Sequence, residues 1–403
     1  MYDMILVRFG EMTLKKDNYK QFLKRMIQNI KKKLWQFPTI TYANTDYRFY
    51  IYLNGTNEEE VIEQLQIIVG IYSFSLCKKT SNDLDEIAKT AIFCLEEHTL
   101  PFTFKVETNR ANKNYPLTSI QISQEVAKRV LPKVEGLSVD VHHPQVTLAI
   151  DLRSEGTYVY TKVIRGLGGY PSGMAGNGLL LISGGIDSPV AGYCCIRKGL
   201  KIEAIHYASP PYTSDEALQK VILLMERLCE YTSDGEMTLH VVPFTDIQLR
   251  IKERAHPNYL ITLMRRAMMT IADTYARSHY LDCLINGESI GQVASQTIES
   301  MKVVNEVTTL PVIRPLATND KEEIVCLAKQ IKTYSISIIP YEDCCTIFVP
   351  QHPVIKPRIE AVLREEEVCD LAPLIKVAIA NIDTYSLSTK QKTIVRPYRL
   401  YEI

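Results

Sequence analysis

The sequence predicts an α/β protein whose C-terminal half is a parallel, doubly wound sheet, preceded by two smaller α+β domains. Three observations lead there. After residue 177, short apolar runs alternate with helical patterns, the signature of repeated βα units. Before residue 75, the apolar periods follow a β-α-β-β-α-β order, which is that of a ferredoxin-like module. Between the halves lies Gly166-Leu167-Gly168-Gly169-Tyr170-Pro171-Ser172-Gly173, rich in turn formers and without apolar periodicity, so residues 166–176 are read as a linker.

The first domain, 1–75, begins with the apolar run Met4–Phe9, a strand. A helix follows in which Tyr19, Phe22, Leu23, Met26, Ile27, Ile30 and Leu34 recur at helical spacing. Its other face carries Lys15, Lys16, Lys20, Lys24, Arg25, Lys31, Lys32 and Lys33 against one acid, Asp17; it is either a solvated face or a phosphate-backbone contact. Phe49, Ile51 and Leu53 alternate in a strand, a helix covers Glu58–Val69, and another strand lies near Ile71–Cys77. The second domain, 76–165, reads as a helix from Asp83, a strand Phe102–Glu107, a helix Ile120–Leu131, and strands around Val146–Leu152 and Tyr158–Ile164. Lys105, Arg110, Lys113 and Tyr115 suit RNA contacts or an ordinary surface equally. In the third domain, 177–403, strands at Leu179–Ile182, Ile202–Tyr207, His240–Phe244 and Leu281–Asn286 alternate with helices at Pro189–Lys198, Asp215–Tyr231 and Tyr259–Ser278.

Composition narrows the class. At 403 residues, with 46% hydrophobic and 23% charged residues, the chain is an ordinary globular one. Lys plus Arg and Asp plus Glu each number 46, so any nucleic-acid binding must be regional rather than global. The N-terminus lacks a basic, then apolar, leader and no segment is of membrane-spanning length, which predicts a cytoplasmic protein without a membrane partner. The ten cysteines lack Cys-x-x-Cys pairs and read as reduced, mostly buried residues, with adjacent pairs at Cys194-Cys195 and Cys344-Cys345. His142-His143 is read as alternating across a strand and therefore unable to share a metal; no metal-ligand set is expected.

Ser183-Gly184-Gly185-Ile186-Asp187-Ser188 follows the apolar run Leu179–Ile182. A buried strand that breaks into glycines and restarts as a helix leaves N–H groups facing outward at a helix N-terminus, an anion site. Ser183 and Ser188 add hydroxyls, and Asp187 can serve Mg2+. No Lys follows the loop, so the Gly-x-x-x-x-Gly-Lys pattern of P-loop ATPases is absent. The loop resembles the pyrophosphatase loop of enzymes that split ATP between its α- and β-phosphates. His206 and Tyr207, at the end of the next strand, are placed at the same crevice; Arg265, Gly287 and Gln296 are weaker candidates, Gly287 by admitting a ligand closely. Cys344, in Tyr341-Glu342-Asp343-Cys344-Cys345, is a loop thiol: sulfur transfer and plain packing both fit, and the flanking acids oppose thiolate formation.

Together with Val7-Arg8-Phe9-Gly10-Glu11-Met12, Gly287-Glu288-Ser289, Gly291-Gln292-Val293-Ala294-Ser295-Gln296 and Glu342-Asp343-Cys344-Cys345, the loop resembles the tRNA 4-thiouridine synthetase (tRNA sulfurtransferase) family over essentially the whole chain. The resemblance implies a THUMP RNA-binding domain at 76–165 and an adenine-nucleotide α-hydrolase-like (PP-loop) domain at 177–403. It implies that Leu181, Ile182, Ser183, Gly184, Gly185, Ser188, His206, Tyr207, Arg265, Gly287 and Gln296 contact ATP. It makes Asp187 the essential acid, Lys321 a residue needed for activity and Cys344 the sulfur-handling cysteine. The implied reaction adenylates O4 of uridine 8 in tRNA and replaces it with sulfur from a cysteine desulfurase persulfide. Sulfur supply to the thiamine thiazole and a homodimer are implied as well. The family's longer members carry a rhodanese domain, whereas this sequence stops at Ile403. Two other classes remain on residues alone: an amidating or aminating ligase built on the same loop, and a non-catalytic RNA-binding regulator.

Overall fold

A computed structural model describes residues 2–15, 17–45, 48–341, 350, 352–390 and 393. The chain divides into two units, Met1–Lys20 with Leu34–Gly169, and Gln21–Lys33 with Tyr170–Ile403. In the first unit, β1 (Met4–Phe9) leads to α1 (Tyr19–Lys33), whose residues from Gln21 group with the second unit. There follow β2 (Thr41–Thr45), β3 (Arg48–Tyr52), α2 (Glu58–Gln66) and β4 (Ile71–Thr80). These strands run β2-β3-β1-β4, all antiparallel, the order expected of a ferredoxin-like module. Four of the five β2 side chains are polar or small and none is buried, so this edge strand has no apolar alternation for the sequence to reveal.

β4 runs through the expected end of the first module. Its first part pairs with β1, and Lys78–Thr80 pair with β8 (Gly156–Tyr160). Before β8 come α3 (Leu84–Glu96), β5 (Phe102–Arg110), α4 (Ser119–Val130), β6 (Leu137–Val139) and β7 (Val146–Arg153), and after it β9 (Ile164–Arg165). The helix starts are specified locally: Asp83 accepts from the N–H groups of Asp85 and Glu86, and Thr118 and Gln121 form a reciprocal capping box. The sheet continues β8-β7-β5-β6, so one strand serves both modules. Two readings change here. His142 and His143 lie in a turn, both N–H groups donating to Asp140 Oδ1, rather than on a strand. The strand expected at Tyr158–Ile164 is split into β8 and β9.

The second unit is built on β10 (Asn177–Leu181), α5 (Asp187–Arg197), β11 (Lys201–Ala208), α6 (Asp215–Cys229), β12 (Glu236–Pro243), α7 (Thr245–Arg254), α8 (Leu260–Ser278) and β13 (Cys283–Ile285). Then come α9 (Ile298–Asn305), β14 (Val312–Ile313), α10 (Lys321–Gln330), α11 (Tyr334–Ser337), α12 (Ile359–Cys369), α13 (Ala372–Ala380) and β15 (Asp383–Ser388). The sheet order is β14-β13-β10-β11-β12-β15, parallel except for β15, which runs antiparallel to β12. An antiparallel edge on a doubly wound sheet is common. The chain leaves β10 toward β11 on one side and reaches β13 on the other. The carboxyl ends of β10 and β13 therefore flank a topological switch point, where such sheets bind ligands.

Leu179, Ile205, Val242 and Leu284 from adjacent strands pack with Leu263, Ala267 and Ile271 of α8 in the core. On α5, Gly192 lets the helix close on the sheet: a Cβ there would lie 2.7 Å from Leu180 and 3.3 Å from Leu228. Gly192→Val is accordingly expected to destabilise the protein by about 1–3 kcal/mol through overpacking. The midpoint of denaturant unfolding measures this, and an unshifted midpoint would contradict the packing.

Candidate active site

The loop between β10 and α5 is folded on its own serines. Ser183 N–H donates to Ser188 Oγ (3.0 Å), Ser188 Oγ donates to Ser183 O (3.2 Å), and Gly185 N–H donates to Ser183 Oγ (3.2 Å). A Cβ on Gly185 would sit 3.3 Å from that same Ser183 hydroxyl. The two serines, expected as donors to a ligand, thus shape the loop that would receive one. Ile182 N–H donates to Ile205 O at 2.9 Å, extending the strand pairing to the loop's edge.

Asp187 opens α5, where a carboxylate is favoured by the helix dipole. Its Oδ1 takes a 2.5 Å hydrogen bond from Lys321 Nζ and its Oδ2 one of 2.8 Å from Gln292 Nε2. Lys321 in turn opens α10, where a cation opposes the dipole; the start is fixed by Glu323, which accepts from Asp320 N–H at 3.1 Å. A Lys absent from the loop's sequence is therefore supplied by a segment 134 residues away. Gln292 Oε1 is buried and has no hydrogen-bond partner among the described residues.

On the other side of the switch point, Gly287 receives the protein's own main chain: a Cβ would lie 2.8 Å from Asp187 C and Ser188 N. The next residue, Glu288, is buried and ion-paired to Arg265 and to Arg314 (2.6 Å), with Asn286 Nδ2 donating to it at 2.8 Å. Burial pulls the Arg314 guanidinium below its ordinary range. Arg265 also donates to Ser295 O. Gln296 accepts from Ser289 N–H at 3.4 Å, and its carbonyl accepts from Gly291 N–H at 2.9 Å. Arg265 and Gln296 thereby fix the shape of the 287–296 stretch, and Gln292 ties it to Asp187. Arg266, its sequence neighbour, faces away into Glu306 and Glu366.

The His206 ring is buried with Nδ1 3.1 Å from Ile182 O, and Tyr207 places its ring in the core with its hydroxyl donating to Met268 O. Leu181 ends β10, half-buried beside the same core. Asp187 and Lys321 are in contact, Gly287 touches the loop backbone, and Arg265 and Gln296 lie one bond further out. Cys344 and its neighbours Glu342, Asp343 and Cys345 lie outside the described residues. Gln292, Glu288 and Arg314 were missed as site residues; the Gly-Gln-Val-Ala-Ser-Gln motif contains the first, and a buried acid between two arginines has no local sequence signal.

Elsewhere, several cations have structural duties. Lys33 donates to Glu230 O at 2.6 Å and burial lowers its pKa, while Lys31 and Lys32 are exposed. Arg110 donates to Tyr115 O, Tyr115 to Asn82 O, and Lys105 pairs with Glu107, leaving Lys113 exposed. The eight described cysteines are unbridged; burial pushes Cys195 and Cys229 up to about 12 and Cys283 to about 11. Among the described residues no three His, Cys, Asp or Glu side chains gather as a metal cage, and no helix is long and apolar enough to cross a membrane.

Comparison with known proteins gives a consistent picture. Residues 173–371 match the family model described as thiamine biosynthesis protein (ThiI), residues 4–75 the ThiI ferredoxin-like domain, and residues 81–162 the THUMP domain. A probable tRNA sulfurtransferase of Geobacillus sp. (strain WCH70) is 45% identical over 97% of this chain and 98% of its own. That of Geobacillus kaustophilus is 47% identical over 95% of each. A crystal structure of a 4-thiouridine synthetase–RNA complex with bound ATP matches with a TM-score of 0.87 and 34% identity, over 96% of this chain and 100% of that one. A Pyrococcus horikoshii protein shares the fold at a TM-score of 0.61 and 19% identity, over 82% and 99% of the two chains.

Removing one member of the buried Glu288–Arg265–Arg314 group leaves uncompensated charge. Glu288→Ala is expected to cost about 3–5 kcal/mol, a loss readable by chemical denaturation. A variant as stable as the parent would show that the group is not holding the site.

Proposed function

The chain belongs to the tRNA sulfurtransferase family, and we propose on that premise that it converts uridine 8 of tRNA to 4-thiouridine at the expense of ATP. The reading is carried by one observation above the others: full-length similarity to sulfurtransferases coincides with a Ser183–Ser188 loop at the switch point, backed by Asp187 and Lys321.

Oxygen at C4 of uridine is a poor leaving group and must be activated first. The loop's N–H groups and the N-terminus of α5 face the phosphates of ATP, with Leu181, Ile182, His206 and Tyr207 at the adjoining strand ends and Arg265, Gly287 and Gln296 bracing the far wall. O4 attacks the α-phosphorus and pyrophosphate leaves; Lys321 meets the charge that develops there. The terminal sulfur of a persulfide, delivered by a cysteine desulfurase, then attacks C4, and AMP departs with the original oxygen. Cys344 is the sulfur-handling thiol. As carrier it holds the persulfide whose outer sulfur bonds to C4, or else it or Cys345 resolves the adduct formed by the desulfurase persulfide. In both cases a thiolate attacks the inner sulfur of the C4–S–S adduct, sulfur stays on uridine and a disulfide remains for a dithiol to reduce.

Mg2+ fits this site. It prefers oxygen, and takes one or two protein ligands together with substrate phosphates and water. Asp187 and Oε1 of Gln292, which has no hydrogen-bond partner among the described residues, are the oxygens that would hold it. When bound it would offset the negative charge of the triphosphate. The N-terminal ferredoxin-like and THUMP domains, assigned to 1–75 and 76–165 ahead of a linker at 166–176 and the catalytic domain at 177–403, grip tRNA in the cytoplasm. A homodimer would let one subunit hold tRNA for the other. The thiazole sulfur of thiamine is a second destination consistent with the family model.

Incubation with tRNA, ATP, Mg2+, a desulfurase and cysteine is expected to give 4-thiouridine with one pyrophosphate per sulfur. Ammonia-dependent turnover without RNA, or tRNA binding with no turnover, would overturn the reading. In the same assay Lys321→Ala should lose activity on the order of 100-fold, as when one charge-stabilising donor is removed. Cys344→Ser should abolish thiolation while leaving ATP binding intact; full thiolation by that variant would remove Cys344 from the pathway. Charge reversal at Lys31 and Lys32, with Lys33 left in place because it is tied to Glu230, is expected to weaken tRNA binding and flatten its salt dependence. Unchanged affinity at low salt would take α1 out of the interface.

A further inference from the structure

Pro189 leaves a gap in the first turn of α5. A helical carbonyl accepts from the N–H four residues on, and four residues after Gly185 stands Pro189, which has no N–H. Ile186 already has helical backbone (φ −72°, ψ −37°), so Gly185 O sits where that bond would form. It is met from a distant segment instead: Ser337, buried at the end of α11, donates from Oγ to Gly185 O at 3.2 Å. In a trans peptide the carbonyl and the following N–H point in opposite directions. Holding Gly185 C=O toward Ser337 therefore turns Ile186 N–H the other way, at a helix start whose N-cap side chain makes no capping bond. Without that hold the Gly185–Ile186 peptide would be free to turn over, since glycine tolerates backbone conformations closed to other residues.

The donor is itself fixed. Lys220 of α6 is only 5% exposed, an unusual place for an ammonium. Its Nζ donates to the main-chain carbonyls of Ile339 (3.0 Å) and Tyr341 (2.9 Å), and Ser337 O lies at 3.5 Å. The three donors of an ammonium match three carbonyls, which replace the water that the charge has lost. An apolar residue would pack more cheaply beside the buried Val221 and Leu224, so the placement serves the segment it holds. That segment begins at α10, where Lys321 pairs with Asp187. One stretch of chain thus grips the loop at two points, the Asp187 carboxylate and the Gly185 carbonyl.

We infer that Ser337, fixed in place by Lys220, is a positioning residue for ATP that holds the Gly185–Ile186 peptide with its N–H turned to the phosphates before the nucleotide arrives. Loss of the hold acts on binding. Only molecules with the peptide correctly turned accept ATP, so the apparent Kd rises by the inverse of their fraction, while complexes that do form react as before.

The inference rests on the ATP-dependent reading, and equilibrium dialysis with ATP and Mg2+, without tRNA, tests it separately. Ser337→Ala is expected to raise the Kd about fivefold, as when the hydrogen bond fixing an orientation is lost, with kcat for pyrophosphate release at saturating ATP within about twofold of wild type. A merely structural role would lower the fraction of protein able to bind, or kcat, at an unchanged Kd, and that result would overturn the inference. Pro189→Ala returns an N–H four residues after Gly185; added to Ser337→Ala it should recover most of the lost affinity, and no recovery would overturn the inference. Lys220→Met should weaken ATP in the same way, and combined with Ser337→Ala should add nothing, because both act on one contact. Multiplied effects, or a folded Lys220→Met with wild-type affinity, would overturn it. Should Lys220→Met fail to fold, the Ser337 and Pro189 variants decide. Wild-type protein that binds no ATP would remove the ATP-dependent reading itself, and the inference with it.

Discussion

Everything at the switch point depends on the carboxylate of Asp187 being shared. One oxygen takes the Lys321 ammonium and the other takes the Gln292 amide, so the ends of α5 and α10 and the stretch after β13 are joined at one group. Local physics would not put Lys321 at the start of a helix, where its charge opposes the dipole. Asp187 offsets that conflict. Positive charge is thereby retained beside a loop, Ser183–Ser188, whose own sequence carries no cation.

The site is held together by its own side chains and main chain. Ser183 and Ser188 hydrogen-bond within the loop, Gly287 admits the α5 main chain at a distance no other residue would allow, and Glu288 binds Arg265 and Arg314 behind it. Catalysis by charge stabilisation rewards such rigidity, because donors already in place need not reorganise as the reaction proceeds. Buried polar groups held this way are also costly to leave half-satisfied. The same residues that shape the site hold its walls together.

Much of this could be read from the chain, and the failures have physical causes. The ferredoxin-like order and the βα alternation were legible because Met4–Phe9, Leu179–Leu181 and Ile202–Tyr207 are buried strands with strong apolar signals. The β-α-β-β-α-β order calls for β2, but no residue range was assigned to it because its exposed, polar edge position imposes no alternation; β15 was not located because an edge strand after two short helices carries little pattern. The loop announced itself through glycines and serines. Its partners did not: Gln292 and Glu288 gain their meaning from contacts more than 25 residues away, and nothing around Lys220 suggests a buried ammonium. Gly287 was expected to admit a ligand closely; what approaches it in this structure is the main chain of Asp187 and Ser188.

The central claim is that ATP activates the base by taking its oxygen onto the α-phosphate, so that sulfur replaces an adenylate. Transfer RNA carrying 18O at C4 of uridine 8 tests this directly. After a single turnover with desulfurase and cysteine, the account places the label in AMP, one atom for each 4-thiouridine formed. Label recovered in pyrophosphate, inorganic phosphate or water, with AMP unlabelled, would contradict it.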